Sequence, residues 1–406
     1  MSLAEPERAA ARLSLPEFVA LTAMLFSTIA LSIDAMLPAL PEIAAELSAE
    51  APNQAQLVLT SFVLGMGVGT FIAGPLSDAF GRRTVILGAS ALYCLASAWA
   101  AASDSLGMLL VARVLQGIGA SGPRIVSVAM MRDLYSGRMM ARIMSFAMMI
   151  FTLVPAIAPL LGATIMMFAG WRSIFWAFVG FALLSSVWLW LRQPETLAPE
   201  QRRALRWAEL VAGAAEVVRH PTVRGAIVVQ SLLFGALFGT LSSIQPVFDQ
   251  TFGRGASFPA WFALIAVLGG SASLLNALLV VRLGMRRMVT TMLGAQIVIS
   301  VLMTAASLML GPDLLFFVFV GWITTVFFMA GVTLGNINAI AMEPMGHVAG
   351  MAASVITAAA TVAAVAIAAP IGLAFDGTAL PLVISVLLIT TLARMAMARL
   401  PGGRAG

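Results

Sequence analysis

Apolar residues run along this chain in long, nearly unbroken stretches. They do not alternate as in half-buried strands, nor do they follow the one-face spacing of a soluble amphipathic helix. A helix needs about 20 apolar residues to cross a hydrocarbon core. Twelve stretches of that length are found, at about 18–40, 55–77, 84–103, 107–131, 142–166, 171–191, 223–247, 258–281, 288–310, 313–341, 347–374 and 378–398. Most connections are short. The exception runs from Arg192 to Arg224 and holds three prolines, four Glu and six Arg. The pattern predicts an all-α integral membrane protein with 12 transmembrane helices in two six-helix halves. The halves are 18–191 and 223–398, joined by a central loop, 192–222, with terminal segments 1–17 and 399–406. Inside the central loop, Glu209 to Arg219 reads as an amphipathic helix lying at the membrane surface.

Composition narrows the class. Hydrophobic residues make up 61% of the chain and charged residues 10%, against about 25% charged in a soluble domain. A soluble enzyme of two or three domains is excluded, as is a disordered or collagen-like chain. The net charge of +5 first suggests nucleic acid. All 23 basic residues are Arg, however, and they form no patch interleaved with aromatic rings. Their distribution reports topology instead. Nineteen fall on one side of the predicted membrane and two, Arg172 and Arg254, on the other; Arg113 and Arg124 lie inside the fourth run. Both termini and the central loop are therefore expected in the cytoplasm. Ser2–Glu17 is polar and the run after it is too long for a cleavable signal.

Catalytic and metal chemistry find little support. Cys94 is the single cysteine, and His220 and His347 are the only histidines, so a disulfide within the chain or a zinc site is not expected. There is no Lys for a nucleotide loop, and the glycine-rich pieces sit in apolar helices with no strand before them. No Ser/His/Asp constellation is available. The expectation is a non-enzyme with no bound cofactor.

The two halves show a weak duplication. A shift of 203 residues puts Gly81, Arg83 and Thr84 on Gly284, Arg286 and Arg287. Parallel six-helix repeats are the plan of major facilitator transporters. The loop after the second run reads Gly74-Pro75-Leu76-Ser77-Asp78-Ala79-Phe80-Gly81-Arg82-Arg83-Thr84. It resembles the signature loop of the major facilitator superfamily. The resemblance implies a cytoplasmic gate in which Asp78 latches the two halves, with Arg132 as its partner. A plainer reading has Asp78 and Arg82 pinning the loop at the headgroups. The second half carries Val281 at the matching position, so the latch is one-sided.

Two charges stand out within the apolar runs. Arg113 lies about six residues inside the fourth, where an arginine costs roughly 2.5–3.5 kcal/mol on insertion scales. Its surroundings, Arg113-Val114-Leu115-Gln116-Gly117-Ile118-Gly119, resemble the superfamily's proton-antiporter motif; snorkelling toward the interface is the alternative. Asp34 is the one acid clearly within an apolar run, in Ser32-Ile33-Asp34-Ala35-Met36-Leu37-Pro38-Ala39-Leu40-Pro41. Both fall in the outer half of the bilayer, which suggests an Asp34–Arg113 pair that switches with protonation; otherwise Asp34 is a solvated residue at the outer mouth.

The Asp34 segment closely resembles its counterpart in the Bcr/CflA drug-efflux branch. So do Arg132-Asp133-Leu134-Tyr135, Gly170-Trp171-Arg172-Ser173-Ile174-Phe175-Trp176 and Pro194-Glu195-Thr196-Leu197. Pro155, Pro159 and Gly162 resemble the branch's antiporter motif in helix five, although Ala158 and Ala163 replace two of its glycines. The likeness is strong over about 18–200 and looser afterwards. It implies rocker-switch export of small, largely apolar drugs, of chloramphenicol or bicyclomycin type, across a bacterial inner membrane by a monomer. The proton motive force would drive it, with Asp34 and Arg113 as the coupling residues. A metabolite or nutrient carrier of the same fold and a non-transporting membrane sensor are the other readings. Met36, Arg124, Met148, Asn336 and Asn338 are candidates to line the cavity. Arg124 maps to no branch motif and reads either as a cavity charge or as a snorkelling residue. Glu343 and His347 form either a plain exposed turn or a surface that meets Asp78.

Overall fold

A computed structural model describes residues 13–401. Arg8, Arg12 and Arg404, and with them most of the expected terminal segments 1–17 and 399–406, lie outside the described residues. The first half is built from α1 (Leu15–Asp34), α2 (Leu40–Leu47), α3 (Leu57–Phe80), α4 (Arg82–Ala101), α5 (Leu106–Leu134), α6 (Gly137–Ala169) and α7 (Arg172–Arg192). A short helix, α8 (Trp207–Arg219), follows. The second half comprises α9 (Pro221–Pro246), α10 (Phe258–Gly270), α11 (Ala272–Leu283), α12 (Met285–Met309), α13 (Pro312–Met342), α14 (Ala349–Leu373) and α15 (Leu380–Ala398). Among the described residues there are 11 helical stretches long and apolar enough to cross a membrane. One of them, Pro312–Leu373, is 62 residues long and contains both α13 and α14, separated by the turn Glu343–Val348.

The first predicted run differs most from its expectation. It does not continue as one helix to residue 40 but stops at Asp34. Pro38 is the cause. It has no N–H to offer the Asp34 carbonyl, and its ring would collide with that carbonyl in a continuing helix. The chain passes through one tight turn, Leu37–Ala39, before α2 starts. Asp34 thus sits at a helix end. The fifth run is longer than read from hydropathy, Gly137–Ala169 against 142–166, and Pro155 and Pro159 are both accommodated inside it.

Within the first half, α3 and α4 pack on α5, α4 on α7 and α1 on α6; in the second, α9 packs on α14, α13 and α15, and α12 on α13 and α15. The halves meet along two seams, α3 against α14 and α6 against α10. The duplication seen in sequence has a backbone counterpart. Gly81 joins α3 to α4 at φ 98, ψ 154, and Gly284 joins α11 to α12 at φ 77, ψ 150. Both values lie where a side chain is disfavoured, so each half uses a glycine to make the same reversal.

The central segment is a strap rather than a free loop. α8 covers slightly more than the predicted Glu209–Arg219 and packs on α14 and α9. His347, in the turn before α14, meets Glu216 of α8 at 3.1 Å. Earlier in the strap, the backbone N–H of Arg203 donates to the carbonyl of Asp78.

Candidate functional site

Arg113 is fully buried, and its fork is spread over three acceptors. Nε donates to the Val58 carbonyl at 3.0 Å, Nη1 to Gln116 Oε1 at 2.6 Å and Nη2 to the Ser32 carbonyl at 3.0 Å. The guanidinium also stands over the Phe62 ring, 4.5 Å from its centroid. Gln116 passes the network on, donating to Ser97 Oγ at 2.7 Å. Tyr93 hydroxyl and Ser32 Oγ share a 2.6 Å hydrogen bond. Arg113 thus ties α5 to α1 and α3, and Gln116 and Ser32 extend the network to α4. Ser32 is in the last turn of α1, where carbonyls lack helical partners, so Arg113 caps that helix end.

The Asp34–Arg113 ion pair expected from depth is not formed. Asp34 is 4% exposed, and among the described residues its carboxyl has no ion pair or hydrogen bond. All three of Arg113's partners are neutral. The α1 break accounts for this: ending the helix at Asp34 bares the Ser32 carbonyl, and the arginine is taken up by backbone two residues short of the acid. The connection between the two is through the helix end rather than charge to charge. Met36 likewise does not line an open cavity. It is fully buried in the hydrophobic core.

The antiporter-motif residues set how closely helices approach this point. Gly117 of α5 faces α3, and a Cβ there would stand 2.1 Å from the Phe62 carbonyl oxygen. Gly162 of α6 faces α1, and a Cβ there would stand 2.1 Å from the carbonyl oxygen of Ala35, the residue after Asp34. The obstacle in both cases is backbone, which cannot swing aside. Gly162→Val is expected to displace the end of α1. The cost should be about 1–3 kcal/mol of stability, read as a lower unfolding temperature, with loss of transport beyond what reduced expression explains.

At the end where the arginines gather, Asp78 pairs with Arg82, one turn on. Arg82 Nε donates to Asp133 Oδ2 at 2.9 Å, and Thr196 Oγ1 bonds the same carboxylate oxygen at 3.0 Å. Among the described residues Arg132 makes no ion pair with Asp78, whose partner is Arg82; it is Arg132's neighbour Asp133 that joins this cluster, as a second partner of Arg82, which the motif alone does not single out. Arg132 and Asp133 point about 100° apart on the helix, and it is the acid that faces α4. Glu195 is a second contact residue that its motif does not reveal. Its carboxylate accepts from the backbone N–H groups of Arg82, Arg83, Thr196 and Leu197. It thereby caps the start of α4, where N–H groups are free. Arg83 Nη2 reaches the Trp190 carbonyl.

A cavity of about 440 Å³ opens at this basic end. Gly74, Asp78 and Arg132 line it, together with His347 and Gly350 at the start of α14. The turn before α14 and the Asp78 loop thus face one space, although His347 is bonded to Glu216 and not to Asp78. Of the other candidates, Asn336 donates to Asn276 Oδ1 at 2.7 Å and to the Val332 carbonyl, joining α13 to α11. Asn338 Oδ1 is buried without a hydrogen-bond partner among the described residues. Met148 is 40% exposed. Arg124 stands 6.0 Å from the centroid of Phe151 on α6. At the opposite end, Asn53 Nδ2 donates to the carbonyls of Phe375 at 2.6 Å and Leu373 at 3.2 Å, linking the halves there.

The Major Facilitator Superfamily description matches residues 21–369. The chain belongs to this superfamily. Three curated superfamily relatives are similar over different lengths. One is an uncharacterized MFS-type transporter, YdgK, of Bacillus subtilis, 30% identical over 80% of this chain and 81% of its own. A bicyclomycin resistance protein homolog of Haemophilus influenzae is 31% identical over 65% and 66%. A chloramphenicol resistance protein of Pseudomonas aeruginosa is 37% identical over 45% and 43%. The latter two names stand with the drug-efflux branch of the superfamily. A solved D-xylose–proton symporter superposes over 94% of this chain and 96% of its own, with a TM-score of 0.72 at 16% identity; at that identity the likeness shows the fold alone. The chain is a multi-pass membrane transporter of this fold.

Proposed function

We propose that the protein is a Bcr/CflA-type drug:proton antiporter of the bacterial inner membrane. It crosses the bilayer twelve times, counting α13 and α14 separately, with both termini and the strap in the cytoplasm. The observation that carries this reading is Asp34: an acid buried at a broken helix end, with no counter-charge among the described residues and with its helix end held by Arg113. A carboxyl placed so has little to do structurally and suits reversible protonation. Protonation from outside competes with substrate and resets the carrier.

The rest of the arrangement supports alternating access. The seams α3/α14 and α6/α10 are related pairs about which two halves can rock. Asn53 closes one end while a cavity opens at the other, with Asp78 and the α14 start on its wall. The second half offers neutral hydrogen-bonding atoms buried without partners, Gln230 Oε1 and Asn338 Oδ1 among them. Such atoms suit small, largely apolar compounds with few polar groups, of chloramphenicol or bicyclomycin type. No cofactor is required; the proton motive force supplies the drive to a monomer.

Inverted membrane vesicles with an imposed proton gradient test the proposal. Such compounds should accumulate inside, and a protonophore should abolish the accumulation. Accumulation that survives the protonophore, or none in a panel of both compound types, overturns it.

A further inference from the structure

At the end opposite the basic cavity, one short turn of the first half, Pro52–Gln56, packs against the end of α14. It is a 3-10 turn, in which side chains three residues apart point the same way. Asn53 and Gln56 have that spacing, and both reach the last residues of α14. Asn53 brings a donor there. Gln56 brings an acceptor: a Cβ on Gly372, one residue before the end of α14, would stand 2.6 Å from Gln56 Oε1.

The two side chains do not suit that helix end equally. The last turn of a helix offers free carbonyls and no free N–H groups, and it carries partial negative charge. A donor finds partners, as Asn53 does in the Leu373 and Phe375 carbonyls. An acceptor meets only other acceptors. Gln56 is 4% exposed, and among the described residues its Oε1 has no hydrogen-bond partner. Ser242 Oγ would stand 3.2 Å from the same Cβ position, but it gives its proton to the Gly239 carbonyl at 3.0 Å.

We propose that Gln56 is a gating residue that opposes Asn53, so that one turn both fastens this end of the carrier and keeps it releasable. When the halves part, Asn53 exchanges two carbonyls for water, which changes little on balance. Gln56 Oε1 gains from water the donor that the helix end cannot supply. The turn as a whole therefore leans toward opening, and packing of the halves closes it. This rests on the alternating-access part of the efflux reading and deepens it.

The test uses the purified full chain in nanodiscs, without substrate or gradient, so it can fail while proton-driven export stands and succeed where export fails. Cys94→Ser removes the single cysteine. Spin labels are then attached through Ala102→Cys, just after α4, and Gly311→Cys, just before α13, both exposed and one in each half. Pulsed electron paramagnetic resonance reads the closed and open populations as a short and a long distance. Asn53→Ala should raise the open share. Gln56→Met, measured on the Asn53→Ala background, should lower the open-to-closed ratio about tenfold, as expected for removing one buried unsatisfied acceptor. Gln56→Leu serves if the Met variant fails to fold. A ratio unchanged within about twofold overturns the proposal. So does a larger open share in Gln56→Met, the result expected of an amide that presents its N–H to α14 and fastens the closure. An Asn53→Ala protein no more open than its parent removes the opposition and overturns the proposal as well.

Discussion

Asp34→Asn should yield a protein that resists heat better than wild type and no longer couples export to the proton gradient. The two effects have one origin. A buried carboxyl without a partner costs free energy that a neutral amide of the same shape avoids in part, here about 1–3 kcal/mol. The gain should appear as a raised unfolding temperature in detergent. The loss follows because an amide cannot exchange a proton as a carboxyl does. Substrate binding at equilibrium should persist, while accumulation in inverted vesicles falls to the level reached with a protonophore. Stability gained where activity is lost is the usual mark of a site kept for function. An Asp34→Asn variant that still accumulates substrate in proportion to the gradient would remove Asp34 from the mechanism.

The second large effect is at Arg113. Arg113→Ala should destabilise the protein by roughly 3 kcal/mol or more, since three buried acceptors lose donors at about 1–3 kcal/mol each. Arg113→Lys should recover little. A single ammonium cannot reach carbonyls on α1 and α3 and an amide on α5 together, which a planar fork does. Thermal unfolding of both variants decides this. A double-mutant cycle with Asp34→Asn separates the two roles for the arginine. An ion pair predicts a coupling well above about 1 kcal/mol, with the doubly neutral protein partly rescued. The observed capping of the Ser32 carbonyl predicts near-additivity, within about 0.5 kcal/mol. A lysine variant as stable as wild type, or strong rescue in the double variant, would contradict the contacts described above.

Much of the architecture is legible in the sequence because a lipid solvent imposes a coarse rule. Runs such as 313–341 are long and apolar for a single reason, and α13 at Pro312–Met342 lies within a residue of that reading at each end. Asp34 and Arg113 are legible as unusual charges. Their partners are not. Arg113 bonds two backbone carbonyls, and backbone carries no signature in sequence. The α1 break that frees one of them depends on Pro38, whose place in a motif hides its action as a helix stop at Asp34. At the basic end, Arg132 and Asp133 are adjacent, and the rotation of α5 turns the acid toward Arg82 and leaves Arg132 unpaired with Asp78 among the described residues. Glu195 reads in sequence as part of a motif; its role as an N-terminal cap for a helix more than a hundred residues earlier needs the fold.

The contact made by Asn53 has a consequence for how this carrier can change over generations. The donor is a side chain in the first half, and both acceptors, Leu373 and Phe375, are used through their main-chain oxygens. Substitution can delete or weaken the donor in one step, but no side-chain replacement removes the acceptors. The strength of that closure is therefore adjustable from one half of the molecule only. The side chain at 373 can change while the contact persists, whereas Phe375 is held by its own place in the core.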